Sequence, residues 1–172
     1  IEISSTFDSG AIEVLAVEGR SADLRIRHDL QRDGTTSEFL QWFHFRVSGA
    51  EQTGATLRIG NAGATTYPNG WLDYRAVASV DRVRWERAPT AYDGTTLTIA
   101  LPPASGPPYV AYFEPYSYEQ HLRLIGEAQS SGLVQLSDLG STLDGRDLSL
   151  LTIGHEVSSD LKVWIIARQH PG

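Results

Sequence analysis

Apolar and polar positions alternate with period two along most of the first two thirds of the chain. Ala11–Val17, Ala22–Arg27, Trp42–Val47, Thr56–Ile59, Val83–Arg87, Thr96–Leu101 and Tyr109–Phe113 are short runs rich in β-branched and aromatic residues. In Leu24-Arg25-Ile26-Arg27 and Leu57-Arg58-Ile59 the alternation is strict, which predicts strands with one face buried and the other wet. Turn chemistry separates the runs at Asp8-Ser9-Gly10, Glu18-Gly19, Asp33-Gly34, Ser48-Gly49, Pro68-Asn69-Gly70 and Asp93-Gly94. Many short strands with frequent turns predict an antiparallel β-sandwich over residues 1–114.

The pattern changes after Phe113. Ser117 and Gln120 have capping-box spacing, in which each side chain serves the other's backbone N–H. Tyr118, Leu122 and Ile125 then recur at i, i+4 and i+7, predicting a helix that ends near Ser130-Ser131-Gly132. Strands are expected at Leu133–Gly140 and Leu148–Ile153, joined through the turn Asp144-Gly145-Arg146. A third is expected at Leu161–Arg168, whose continuous apolar centre reads as a strand buried on both faces. Such a strand needs helices on each side, and a parallel neighbour needs a crossover of a dozen or more residues. Residues 115–172 are therefore expected to be the opening of an α/β domain that continues beyond this chain.

Composition narrows the possibilities. Of 172 residues, 41% are hydrophobic, which is too many for a disordered chain. The formal charge of −7 argues against binding a phosphate backbone or an anionic membrane surface, and Lys162 is the only lysine. No apolar run is long enough to span a bilayer as a helix. Cysteine is absent, so neither a disulfide framework nor a thiolate metal site can form, and a reducing compartment is expected. The N-terminus shows no secretory pattern, and the sequence has no methionine, so Ile1 is expected not to be the natural start.

Candidate chemistry is sparse. His170 follows the third expected strand, where open α/β sheets place their ligands, and it precedes Pro171-Gly172. An imidazole there can hold a metal if a second ligand follows within a turn; standing alone, a structural or solvated histidine is the ordinary reading. Trp42, Trp71, Trp85, Tyr67, Tyr74 and Tyr92 could form a platform for sugars or peptides. The plainer expectation is that Trp42 and Trp85 enter the core, while Trp71, in a turn-rich stretch, either stands exposed or plugs a sheet end. His44 is expected opposite Phe43 on its strand, His121 off the apolar helix face, and His28 and His155 in solvent. No Ser/His/Asp constellation and no phosphate loop is legible.

The run Ala167-Arg168-Gln169-His170-Pro171-Gly172 resembles the zinc signature of the M14 metallocarboxypeptidases, cytosolic carboxypeptidase subfamily, which reads Ala-Arg-x-His-Pro-Gly-Glu. Trp42-Phe43-His44-Phe45-Arg46-Val47 is similar to that subfamily's Trp-Phe-x-Phe-x-Val strand. Ala111–Tyr118 resembles its Ala-Tyr-x-x-Pro-Tyr-[Ser/Thr] domain junction, and Leu143–Ile153 its Leu-x-Gly-[Arg/Asn]-x-[Leu/Met]-x-Leu-Leu segment. Four motifs in the same order make the likeness specific. It implies a β-sandwich followed by an α/β zinc peptidase domain, a zinc cofactor with His170 as one ligand, and peptide or protein C-terminal tails as substrate. It also implies a cytoplasmic enzyme that hydrolyses C-terminal peptide bonds. The family's glutamate and second histidine ligands, its substrate-binding Arg and Asn and its general-base Glu all lie past Gly172. This chain is accordingly expected to carry no catalytic residue, to be inactive alone and to hold no stoichiometric zinc. The rival expectation is a non-catalytic β-sandwich binding module, distinguished by the residue that follows Gly172 and by zinc content.

Overall fold

The computed structural model describes residues 1–31, 33–154 and 162–166. Its contacts divide the chain into two compact units, Ile1–Pro115 and Tyr116–Gly172.

Among its described residues the first unit contains ten strands: β1 (Glu2–Ser4), β2 (Glu13–Glu18), β3 (Ser21–Arg25), β4 (His44–Ser48), β5 (Ala55–Ile59), β6 (Val77–Ser79), β7 (Glu86–Arg87), β8 (Thr90–Tyr92), β9 (Leu97–Leu101) and β10 (Tyr109–Ala111). They form two five-stranded sheets, ordered β1-β4-β10-β6-β7 and β2-β3-β5-β9-β8. Period-two alternation decides which side chains each sheet buries. Phe45, Val47 and Val110 of the first sheet join Leu24, Leu57, Ile59, Leu97 and Ile99 of the second in one hydrophobic cluster. Burying each such side chain stabilises the fold by roughly 1.5–3 kcal/mol, so this cluster is the main source of its stability.

Three expectations need correction here. The sandwich is not wholly antiparallel, because β3 and β5 pair in parallel, Ser21 opposite Thr56 and Leu24 opposite Ile59. Between them the chain leaves for the first sheet, builds β4 and returns, which gives a parallel pair the long crossover it needs. The expected strand Val83–Arg87 shrinks to Glu86–Arg87. Asp81 causes this: its carboxylate accepts the backbone N–H groups of Val83 and Arg84 and the Ser79 hydroxyl, offering the backbone a turn in place of a ladder. The tryptophan placement also differs. Phe43 and Phe45 take the inward parity, so Trp42, His44 and Arg46 face the other side, and Trp42 and Trp85 are only half-buried outside the core cluster. Trp71 enters the core instead, 1% exposed, with its indole N–H donating to the Ala62 carbonyl and the Thr65 hydroxyl.

In the second unit, α1 (Tyr118–Ser130) begins with the expected capping box: the Ser117 hydroxyl accepts the Gln120 backbone N–H, and the Gln120 side-chain Oε1 accepts the Ser117 N–H. Ile125 is its buried residue. Strands β11 (Val134–Ser141) and β12 (Asp147–Ile153) form an antiparallel hairpin with an irregularity between Asp138 and Ser141. Its turn is closed by Thr142, and Gly145 adopts φ 76°, which costs glycine nothing. The third expected strand does not form over its described part. Residues 162–166 have no regular structure, and Trp164 and Ile165 are 75% and 86% exposed. No described strand pairs with them, and an unpaired strand has no ladder to hold it.

Candidate functional site

The sequence points first to His170, which lies outside the described residues, as does His155. Among the described residues no group of three His, Cys, Asp or Glu side chains could hold a metal ion. His121 packs its ring near Tyr118 on the helix, and His28 is exposed on a loop.

Among the described histidines, the one with an unusual environment is His44. Strand β4 directs it away from the sandwich core, yet it is 0% exposed. Aromatic rings wall it in: Phe7 at 4.9 Å between centroids, Trp85 at 5.8 Å, and Trp42 and Tyr109 each at 6.1 Å. The Arg82 guanidinium lies over the Tyr109 and Phe7 rings, a cation–π arrangement. Burial, reinforced by the positive charge of Arg82 and partly offset by Asp8, pulls the His44 imidazole down to about 4. It is neutral at physiological pH. Its Nδ1 is 2.9 Å from the Ser9 hydroxyl, while Nε2 is buried with no hydrogen-bond partner among the described residues. The Arg46 Nε and Trp85 Nε1 atoms are likewise buried without one.

The aromatic platform considered from sequence does not exist as such. Trp71 and Tyr74 pack on each other and on Tyr112, and the Tyr74 hydroxyl donates to the Tyr112 carbonyl, with burial pushing its pKa up. Trp42 donates to the Ser9 carbonyl, and the Tyr92 hydroxyl to the Gly94 carbonyl. Tyr67 alone of the six is mainly exposed. A separate cavity of about 250 Å³ lies between residues 38–40 and 64–66. That is below the usual range of ligand sites, roughly 300–1,000 Å³.

Comparison with known proteins identifies the family. Residues 3–113 match the family described as the cytosolic carboxypeptidase N-terminal domain, and the chain belongs to it. Solved metallo-carboxypeptidases are close in fold over nearly all of it. One from Burkholderia cenocepacia is 45% identical with a TM-score of 0.88, covering 99% of this chain and 44% of its own. One from Pseudomonas aeruginosa, in complex with (2-guanidinoethylmercapto)succinic acid, is 40% identical with a TM-score of 0.88, covering 99% and 45%. An uncharacterised protein of Zymomonas mobilis is 41% identical over all 172 residues, which are 43% of its length. The chain thus spans less than half the length of these relatives.

The match ends at residue 113, close to where the contacts divide the chain, and the structural likeness continues through the second unit. The Trp-Phe-x-Phe-x-Val motif is β4 and its approach, the strand that supplies Phe43, Phe45 and Val47 to the core. Its family resemblance therefore reports packing rather than chemistry. The pairing of Ser9 with His44, across 35 residues of sequence, was not legible beforehand. The only sequence signal for it was the odd parity of a histidine among core aromatics.

Proposed function

We propose that this chain is the N-terminal part of a zinc metallocarboxypeptidase that removes C-terminal residues from peptides or protein tails. The observation that carries the reading is the extent of the likeness. It is not confined to the sandwich at residues 3–113 but covers 99% of the chain in two metallo-carboxypeptidases at 40–45% identity. In this reading the sandwich flanks the active-site entrance and residues 115–172 open an α/β peptidase domain. His170 would be a zinc ligand. A neutral imidazole fits that metal, and the Ala-Arg-Gln-His-Pro-Gly run supports its place in the ligand set. Zinc, when bound, would polarise the scissile carbonyl and acidify a water molecule. One imidazole supplies only part of the roughly 10–16 kcal/mol that a complete site provides, so this chain alone should be inactive. The net charge of −7 supports a protein or peptide substrate over nucleic acid. The cysteine-free sequence suits a reducing cytoplasm, and no described helix is long and apolar enough to cross a membrane.

The test uses the longer protein. It should bind zinc stoichiometrically by elemental analysis and release C-terminal amino acids from peptides. His170→Ala should lose both while circular dichroism keeps the sandwich signature. Retention of full zinc and activity in that variant removes His170 from the ligand set.

A further inference from the structure

Ser9 occupies a backbone conformation that serine seldom adopts, with φ at 63°. Such a backbone is strained for a residue with a Cβ and persists only where its surroundings over-determine it. Here they do. The Trp42 indole N–H holds the Ser9 carbonyl at 2.8 Å, and the Gly10 N–H closes the turn on the Phe7 carbonyl at 2.9 Å. Gly10 cannot be replaced without moving the turn, because a Cβ there would sit 2.1 Å from the Ser5 carbonyl oxygen. The result is an exposed residue whose hydroxyl is held 2.9 Å from a fully buried imidazole.

The imidazole packs among the rings of Phe7, Trp42, Trp85 and Tyr109, and its Nε2 has no hydrogen-bond partner among the described residues. The tautomer decides which way the Ser9–Nδ1 hydrogen bond runs. With the proton on Nε2, the Nδ1 lone pair accepts from the Ser9 hydroxyl.

We propose that Ser9 is a nucleophilic hydroxyl, with His44 as its base, that accepts acyl groups from activated esters. In the step, the Ser9 Oγ attacks the ester carbonyl carbon while its proton moves to His44 Nδ1. The carbon–oxygen bond to the leaving group breaks, an acyl-serine forms, and the departing phenolate receives the proton from Nδ1 directly or through water. Arg82 opposes the transient imidazolium and Asp8 favours it. General-base assistance is typically worth about 10²–10⁴-fold, and a base this weak belongs at the low end. The site is independent of any zinc chemistry and lies wholly within the first unit.

The experiment incubates the 172-residue chain with p-nitrophenyl acetate and locates the acetyl groups by peptide mass spectrometry. Ser9 should carry at least ~10-fold more acetyl than any other serine, Ser9→Ala should remove that label, and His44→Gln should slow it at least ~10-fold. Because His44 stays neutral, Ser9 labelling should be nearly flat between about pH 6 and 8. That profile provides a test in wild-type protein should His44→Gln fail to fold. Acetylation spread evenly over serines, or Ser9 labelling that rises in proportion to hydroxide, overturns the proposal.

Discussion

Lowering the pH should destabilise the sandwich through His44 in a window set by two protonation equilibria. In the unfolded chain its imidazole titrates near 6.5; in the fold it is held at about 4. The folded value is the lower one, so between these limits the unfolded chain binds the extra proton. Stability is full above about pH 6.5 and declines as pH falls towards 4. At 1.36 kcal/mol for each unit the full loss is about 3 kcal/mol, and between pH 7.5 and 5 it is about 2 kcal/mol. Hydrogen bonds hold the Asp23, Asp33, Asp81 and Asp93 carboxyls below the usual range, so they titrate beneath this window. Burial raises Asp29, but that group is common to wild type and a His44 variant and cancels in the comparison. Urea denaturation followed by tryptophan fluorescence, at pH 7.5 and 5, measures the effect in wild type and in His44→Gln. Wild type should lose about 2 kcal/mol more than the variant over this interval. Equal pH dependence in the two proteins would mean that the imidazole is not held neutral by its ring cage, and the reasoning would fail.

Two other perturbations test the packing. Trp71→Ala should cost about 3–5 kcal/mol in the same denaturation assay, through a cavity beside Tyr74 and Tyr112 and the lost donor to Ala62 and Thr65; a loss below about 1 kcal/mol contradicts its place in the core. The exposed run Val163-Trp164-Ile165-Ile166 is apolar, β-prone and free of proline, the profile of a self-associating window. Sedimentation velocity should show concentration-dependent association of the 172-residue chain that Ile165→Glu reduces, and a wild-type chain monomeric at high concentration counts against it.

The helix was the most legible element because everything that sets its start is local. Ser117 and Gln120 are three residues apart, and their reciprocal hydrogen bonds form with no help from distant chain. Strands β4, β5 and β9 were also legible, since alternation reveals a half-buried strand wherever it pairs. What alternation leaves open is partner and parity. Nothing local distinguishes a β3 that pairs in parallel with β5 from one that pairs antiparallel, because the decision is made by the intervening excursion to β4. Parity failed at Trp42 because size alone suggested the core, whereas Phe43 and Phe45 had already taken the inward positions. Strands β1, β6 and β8 have three residues each, too few for a period to show. At the other end, the continuous apolar run at 163–166 reads as a strand, but a strand needs a ladder partner, and none of the described strands pairs with it. The reading of His170 as a zinc ligand rests on likeness to a family alone, since a lone imidazole specifies no site.

The parallel β3–β5 pair also constrains the order in which the sandwich can assemble. Its two strands belong to one sheet, but the residues that join them contribute β4 to the other. The second sheet cannot zip from hairpin to hairpin, because its central pairing closes a loop that carries a central strand of the first. The two sheets therefore depend on each other through the chain that joins β3 to β5, and neither is expected to be stable when excised alone. Circular permutants opened between β3 and β4 should therefore slow folding more than those opened in the Pro102–Pro108 loop, which lies outside the β3–β5 crossover.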